Sequence, residues 1–215
     1  MIPCSETLGR QYKEIIPREY TPIPNGIESD NWKNDSCLSR DELREKLGLP
    51  KEKYIIISTG ALIERKRPFT VIEAFKKADL NGSILLMLGN GDLATQCKQM
   101  ANHDVIFTGR VNNVKDYLYA SDLMISASSA EGLPYAILEA ECTGIRMILS
   151  DIPQHREALG ENSEKVSFFP VDREERIVEL FRTEVERGKC REFYNIDMIT
   201  AQAMAEKYMK VYSRV

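Results

Sequence analysis

The chain has 215 residues, 43% hydrophobic and 29% charged, a composition that fits a folded globular protein and excludes disordered, collagen-like and disulfide-framework classes. With 29 Lys and Arg against 33 Asp and Glu, the net charge is −4, so no global field favours nucleic acid or an anionic membrane and any anion site must be local. No apolar run approaches the roughly 20 residues of a membrane span, and residues 1–10 lack the features of a signal peptide, which gives a cytoplasmic reading.

In chain order, residues 1–32 carry Pro3, Pro17, Pro22 and Pro24 and read as a lead-in outside any strand–helix alternation. Ser39-Arg40-Asp41-Glu42 has capping-box spacing, and Gly48 and Pro50 stop a short helix at Leu47. Short apolar runs at Tyr54–Ser58, Ile84–Leu88, Val105–Phe107, Leu123–Ser126, Met147–Leu149 and Val166–Phe169 predict buried strands. Between them, helical periodicity covers Pro68–Ala78, Leu93–Ala101, Val114–Ala120, Ala136–Thr143 and Gln154–Leu159. Two further helices are predicted at Asp172–Arg187 and Asp197–Tyr212. The second gathers Met198, Ala201, Ala205, Tyr208, Met209 and Tyr212 near one face, to be covered either by this chain's own body or by a second domain. The alternation implies an α/β fold, a doubly wound Rossmann-like parallel sheet of about six strands.

The cysteines, Cys4, Cys37, Cys97, Cys142 and Cys190, are odd in number and scattered, which fits reduced thiols rather than a zinc site or disulfides. Only His103 and His155 exist, and there is no G-x-S-x-G turn, so hydrolase chemistry is set aside.

Ligands of an open parallel sheet bind beyond the strands' carboxyl ends. After the first strand, Gly60-Ala61-Leu62-Ile63-Glu64-Arg65-Lys66-Arg67 puts three cations where a helix begins, which suits a phosphate or is simply a solvated loop. After the second strand, Gly89-Asn90-Gly91-Asp92 reads as a tight turn with Asp92 capping the next helix, not as a dinucleotide fingerprint. After the third, Thr108-Gly109-Arg110-Val111 offers main chain against which a flat base would lie. After the fourth, Glu131-Gly132-Leu133-Pro134-Tyr135 leads into a helix carrying Glu139, with Pro134 set for its first turn. Two carboxylates beside helix amides suit a nucleotide sugar; otherwise they are solvated or serve the helix dipole.

Pro24-Asn25-Gly26-Ile27, the Gly60 loop with Lys66, Phe107-Thr108-Gly109, Ser128-x-x-Glu131-Gly132, Glu139-Ala140, Gly144 and Glu157 together resemble the C-terminal half of family 4 retaining glycosyltransferases of the GT-B fold. The resemblance runs from Thr21 through nearly the whole chain. It implies a transferase of a hexose-type sugar from a nucleotide-diphospho-sugar to a glycan or lipid-linked acceptor. It implies Lys66 at the diphosphate, Glu131 at the donor-sugar hydroxyls and Glu139 at the ribose, with Lys66 and Glu131 as the catalytic pair. Gly60, Arg65, Arg110, Val111, Gly132, Leu133, Pro134 and Tyr135 complete the donor-binding set. Two departures stand out: Ala61 replaces a common arginine, for which Arg65 or Arg67 would compensate, and Pro134 replaces a common glycine. No metal or other cofactor is expected, and no Asp-x-Asp pair is present.

The same resemblance divides the chain into residues 1–20, a remnant of an N-terminal acceptor domain with its last strand and helix; residues 21–195, the nucleotide-sugar-binding domain; and residues 196–215, a crossover helix. On that division the missing half, supplied in cis or in trans, would complete a metal-independent enzyme that is cytoplasmic or membrane-peripheral through that half. Neither nucleic acid nor a membrane span enters. The alternatives are a GT-B-like nucleotide-sugar epimerase, against which the scarcity of histidine counts, and a nucleotide-sugar-binding or partner-binding module without catalysis.

Overall fold

The computed structural model describes residues 1–33, 38–192, 194 and 200–213. Its elements in order are α1 (Glu6–Ile15), α2 (Arg40–Lys46), β1 (Tyr54–Thr59), α3 (Pro68–Ala78), β2 (Ser83–Leu88), α4 (Ala94–Met100), β3 (Val105–Gly109), α5 (Val114–Ala120), β4 (Leu123–Ser126), α6 (Tyr135–Thr143), β5 (Arg146–Ser150), α7 (Pro153–Leu159), β6 (Ser167–Phe169), α8 (Glu175–Arg187) and α9 (Ala201–Tyr212). Short 3-10 turns sit at Ser29–Trp32, Glu64–Lys66 and Gly160–Lys165.

All six strands join one parallel sheet in the order β3-β2-β1-β4-β5-β6. Both faces are covered, as the unbroken apolar runs require. Ile56, Leu85, Met87, Leu123, Ile125 and Ile148 pack with Val71, Phe75, Ile177 and Phe181 of α3 and α8. Ile55, Ile57, Ile84, Leu86, Met124 and Leu149 point the other way, onto Leu43, Leu118, Ile137 and Ala140 of α2, α5 and α6. Fully burying each such side chain contributes roughly 1.5–3 kcal/mol.

The winding reverses between β1 and β4, whose register pairs Ile56 with Leu123 and Ile57 with Met124. Strand order therefore opens a crevice between the segments leaving the carboxyl ends of these two neighbours. The six strands and the helices predicted from periodicity are found, with ends shifted by a few residues. Asp197–Met198, the predicted start of the last helix, and Cys37 lie outside the described residues.

Residues 1–32 stand outside the sheet and carry α1, N-capped by Ser5, whose side chain accepts from Leu8 N. Three local expectations are corrected. The strand implied within residues 1–20 is not formed: residues 1–3 make main-chain contacts from Thr21 N to Met1 O (3.1 Å), from Ile23 N to Pro3 O (3.0 Å) and from the Met1 amino group to Glu19 O (3.5 Å). Asp92 does not cap α4, which begins after Leu93 without a side-chain cap. Pro134 is the N-cap of α6 rather than its first helical residue, with extended angles (φ −76, ψ 111).

Helix α9 rests on the body only near its start, where Gly26 N meets Met204 Sδ at 3.2 Å and Gln202 N donates to Glu28 Oε1 at 3.3 Å. Met209 and Tyr212 remain exposed.

Candidate functional site

The crevice is shaped first by backbone. Gly60 N donates to Leu88 O (2.9 Å) and Gly89 N to Gly109 O (2.9 Å), drawing the carboxyl ends of β1, β2 and β3 together. Gly89 has φ 138, and a Cβ on it would lie 2.0 Å from Gly60 O, so only glycine fits. Beyond this seam opens a cavity of about 800 Å³ lined by Thr59, Gly60, Ala61, Asn90, Arg110, Val111 and Glu139, among others. Its volume lies within the range of small-molecule sites. A narrower pocket beside it is shared by Gly60, Lys66 and Ser128, and so joins the loops after β1 and β4.

At that junction the three-cation run splits. Lys66 Nζ donates to Glu131 Oε1, and Arg65 donates to Glu131 Oε2 at 2.9 Å and to Ala130 O at 3.1 Å. Ser129 returns the contact through its N–H to Arg65 O (2.8 Å), so the two loops hold each other by main chain as well as by charge. Burial by itself would raise the Glu131 carboxyl's pKa, but hydrogen bonds from Lys66, Ser128 and Arg65 hold it below the usual range and ionised. Arg67 takes no part. Its left-handed backbone (φ 52, ψ 50) sends the guanidinium to Glu174 and to Val171 O (2.8 Å), on the α8 side. Of the two arginines expected to compensate for Ala61, Arg67 thus faces the α8 side and Arg65 the Glu131 loop. Arg65 has its contacts at Glu131, and Arg110, exposed on the opposite wall, is the cation that shares the large cavity with Ala61.

The segment between the carboxylates is anchored from outside. Asn25 Nδ2 donates to Leu133 O at 2.7 Å, which explains the Pro24-Asn25-Gly26 motif as a brace for this loop. Gly132 packs so closely on the amino-terminal segment that a Cβ would lie 2.8 Å from Cys4 Sγ. Leu133 and Pro134 are buried, whereas Tyr135 is exposed. The first intrahelical bond of α6 is from Ile137 N to Pro134 O (3.1 Å), so the Tyr135 and Ala136 amides have no acceptor within the helix. Glu139, one turn further along α6, lines the large cavity, and burial raises its pKa. Glu157 lies away from this rim and accepts from Glu6 N (2.6 Å) and Thr7 N (2.9 Å), fastening α1 to α7.

Of the candidate residues, Gly60, Arg110, Val111 and Glu139 line the large cavity and Arg65, Lys66 and Glu131 meet in the cluster beside it, whereas Gly132, Leu133, Pro134 and Tyr135 join Glu131 to α6 and are not among the residues lining either pocket. Sequence reasoning missed Thr59, whose buried hydroxyl oxygen has no partner among the described residues, and the set Ser128, Ser150 and His155 behind Glu131. Only Ser128 carried a signal, three residues before Glu131.

A doubly wound sheet with a cation–carboxylate cluster at its switch point defines a Rossmann-like domain whose ligand crevice lies beyond the carboxyl ends of β1 and β4. Residues 39–194 match the family described as glycosyl transferases group 1, and the chain belongs to that family. It is 31% identical over 149 residues to the UDP-Gal:alpha-D-GlcNAc-diphosphoundecaprenol alpha-1,3-galactosyltransferase of Escherichia coli, a match that covers 64% of this chain and 38% of that protein. It is 33% identical over 127 residues to the lipopolysaccharide core biosynthesis glycosyltransferase LpsE of Rhizobium meliloti, covering 55% of this chain and 36% of the relative. The chain thus spans well under half of the relatives it matches. Among solved structures, Anabaena Alr3699/HepE in complex with UDP and glucose superposes with a TM-score of 0.86 at 16% identity, over 100% of this chain and 63% of that one. The resemblance to the carboxyl-terminal half of a GT-B glycosyltransferase holds for family and fold.

Proposed function

We propose that this chain is the donor domain of a retaining glycosyltransferase, binding a nucleotide-diphospho-sugar for transfer of a hexose-type sugar to a glycan or lipid-linked acceptor. The observation that carries the reading is the Lys66–Glu131–Arg65 cluster at the edge of a cavity that also presents Glu139 and Arg110. In it the base lies along Val111, Glu139 accepts from the ribose hydroxyls, and the diphosphate meets Lys66, Arg110 and the free amides at the start of α6. Glu131, kept ionised, accepts from hydroxyls of the donor sugar. As the bond to the sugar breaks, negative charge grows on the diphosphate, and Lys66 and the α6 amides stabilise it in place, without a metal ion. The relatives' names support a sugar-transfer role, and the likeness to a structure holding UDP and glucose supports this class of ligand.

The acceptor would be held by an N-terminal domain, and without the proximity it provides this chain turns over little. The enzyme is cytoplasmic, or membrane-peripheral through that half; no helix among the described residues is long and apolar enough to cross a membrane.

Calorimetric titration with UDP, GDP, ADP and their sugar conjugates, without added metal, tests the reading. One nucleotide series should bind, with Lys66→Ala weakening it about tenfold or more. Binding unchanged by Lys66→Ala, or none by the folded chain even with the N-terminal half supplied, would overturn it.

A further inference from the structure

Behind Glu131 lies a chain of hydrogen bonds that donor binding, as described so far, does not use. It starts at His155 on α7, which is wholly buried. Its Nδ1 lies 2.8 Å from Ser150 O, and a carbonyl oxygen only accepts, so the proton sits on Nδ1. The same N–H lies 3.3 Å from Ser150 Oγ. Ser150 Oγ in turn donates to Ser128 O at 2.6 Å, three residues before Glu131 in the same loop, and the Ser128 hydroxyl is among the groups that lower the Glu131 pKa. Two donors are thereby set: imidazole to Ser150, and Ser150 to the Ser128 carbonyl at the base of the loop that carries Glu131. Nε2 at the far side of the ring is buried and has no hydrogen-bond partner among the described residues. A phenylalanine would fill this volume without leaving such an orphan, so a histidine here is explained by what Nδ1–H holds.

We propose, on the donor-site reading above, that His155 is a positioning residue for donor-sugar recognition: its neutral Nδ1–H tautomer fixes Ser150 and Ser128 and thereby the loop that presents Glu131. The charged groups facing the ring are Glu131 from the loop after β4, Lys66 from the turn before α3, and Asp151 from the end of β5. Burial lowers the pKa of His155 from its ordinary 6.5, outweighing the attraction of the two carboxylates. The neutral ring therefore prevails above that ordinary value. As pH falls through the lower folded value, a proton on Nε2 places an unpaired cation behind Glu131 and beside Lys66. Recognition of the sugar is lost with it.

The test compares binding of UDP and UDP-glucose to the full chain at about pH 7.5 and at a pH below the His155 titration as located by proton NMR. At the higher pH the wild-type chain should prefer the sugar conjugate, and acid should abolish the preference. His155→Gln and His155→Phe, which cannot return an N–H at the Nδ1 position, should lose about tenfold of that preference at the higher pH. His155→Asn, whose Nδ2–H stands where Nδ1–H did, should keep it and lose the acid sensitivity. Urea unfolding checks that each variant is folded. Equal loss of both ligands, or an unchanged ratio in His155→Phe, overturns the proposal as a mere packing effect.

A second readout needs no nucleotide and so separates this proposal from the donor-site reading. In proton NMR, Glu131→Gln should shift the His155 titration to lower pH and leave exposed His103 unmoved. Movement of neither histidine overturns the link. Should the shift appear while none of the UDP, GDP and ADP series binds even with the N-terminal half supplied, the donor-site reading falls and the coupling of His155 to Glu131 stands.

Discussion

Strand β4 carries a carboxylate at each end, and the two behave oppositely. Asp122, just before the strand, is wholly buried and accepts from Arg40 (2.5 Å), from Arg44 (2.7 Å) and from Ile55 N (2.8 Å). Arg44, itself wholly buried, places its remaining donors on Ala120 O (2.8 Å), Lys51 O (2.6 Å) and Lys53 O (2.9 Å). Every partner there is protein, and the cluster locks α2 to the amino-terminal edge of the sheet. Glu131, beyond the other end, is itself only 6% exposed, but its partners Lys66 and Arg65 are 20% and 51% exposed, and Lys66 borders a small pocket at the crevice. The first cluster is closed and rewards folding. The second reaches solvent through its cations, and on the proposed donor-site reading these are the partners a ligand's phosphates and hydroxyls would replace.

The sharpest way to break this contrast is Asp122→Ala. It strands Arg44 without its counter-ion and should lower stability by about 3–5 kcal/mol in urea unfolding. A loss below about 1 kcal/mol would show that the closed cluster is not a structural lock. Next comes Glu131→Gln, expected to weaken nucleotide-sugar binding about 10- to 100-fold, and nucleoside diphosphate binding far less, while stability moves by no more than about 1 kcal/mol. Equal losses for both ligands in calorimetry would remove Glu131 from the sugar.

Glu141 sharpens the comparison from a third side, as a carboxyl with no cation. It lies on α6 with Asn162 Nδ2 donating to one oxygen at 2.9 Å, and burial pushes it up to about 8. The protonated form is favoured in the folded chain, so stability present below the ordinary 4.5 is lost progressively as pH rises towards 8. Glu141→Gln should remove that dependence and stabilise the protein at about pH 8 by about 1–2 kcal/mol, measured by thermal unfolding across pH. The smallest effect is expected at Arg67. Because it faces Glu174, Arg67→Ala should leave nucleotide affinity within about twofold and cost no more than about 1 kcal/mol of stability.

Much of the frame was legible in the chain. Pro68–Ala78 and Val114–Ala120 have the predicted bounds, because apolar spacing and a proline in the first turn are local signals. Glu131 and Glu139 were readable as neighbours at one rim, since eight residues from loop into helix cannot carry them far apart. Arg65, Lys66 and Arg67 were not separable, because nothing local distinguishes three consecutive cations. Asp92 was misread as a cap because its loop is drawn instead by main chain, with Leu93 N on Leu62 O at 3.0 Å.

The sequence alone determined which segments form strands and helices, that the sheet is parallel and covered on both faces, and which loops bear charge. These follow from periodicity and from the short reach of capping and turn interactions. Tertiary structure decided the strand order that sets β1 beside β4, and hence that Lys66 meets Glu131 across 65 positions of chain. It also decided that Arg67 turns to Glu174 and that His155 stands behind the site through Ser150. Such pairings depend on the packing of whole layers, and no property of the paired residues records them in advance.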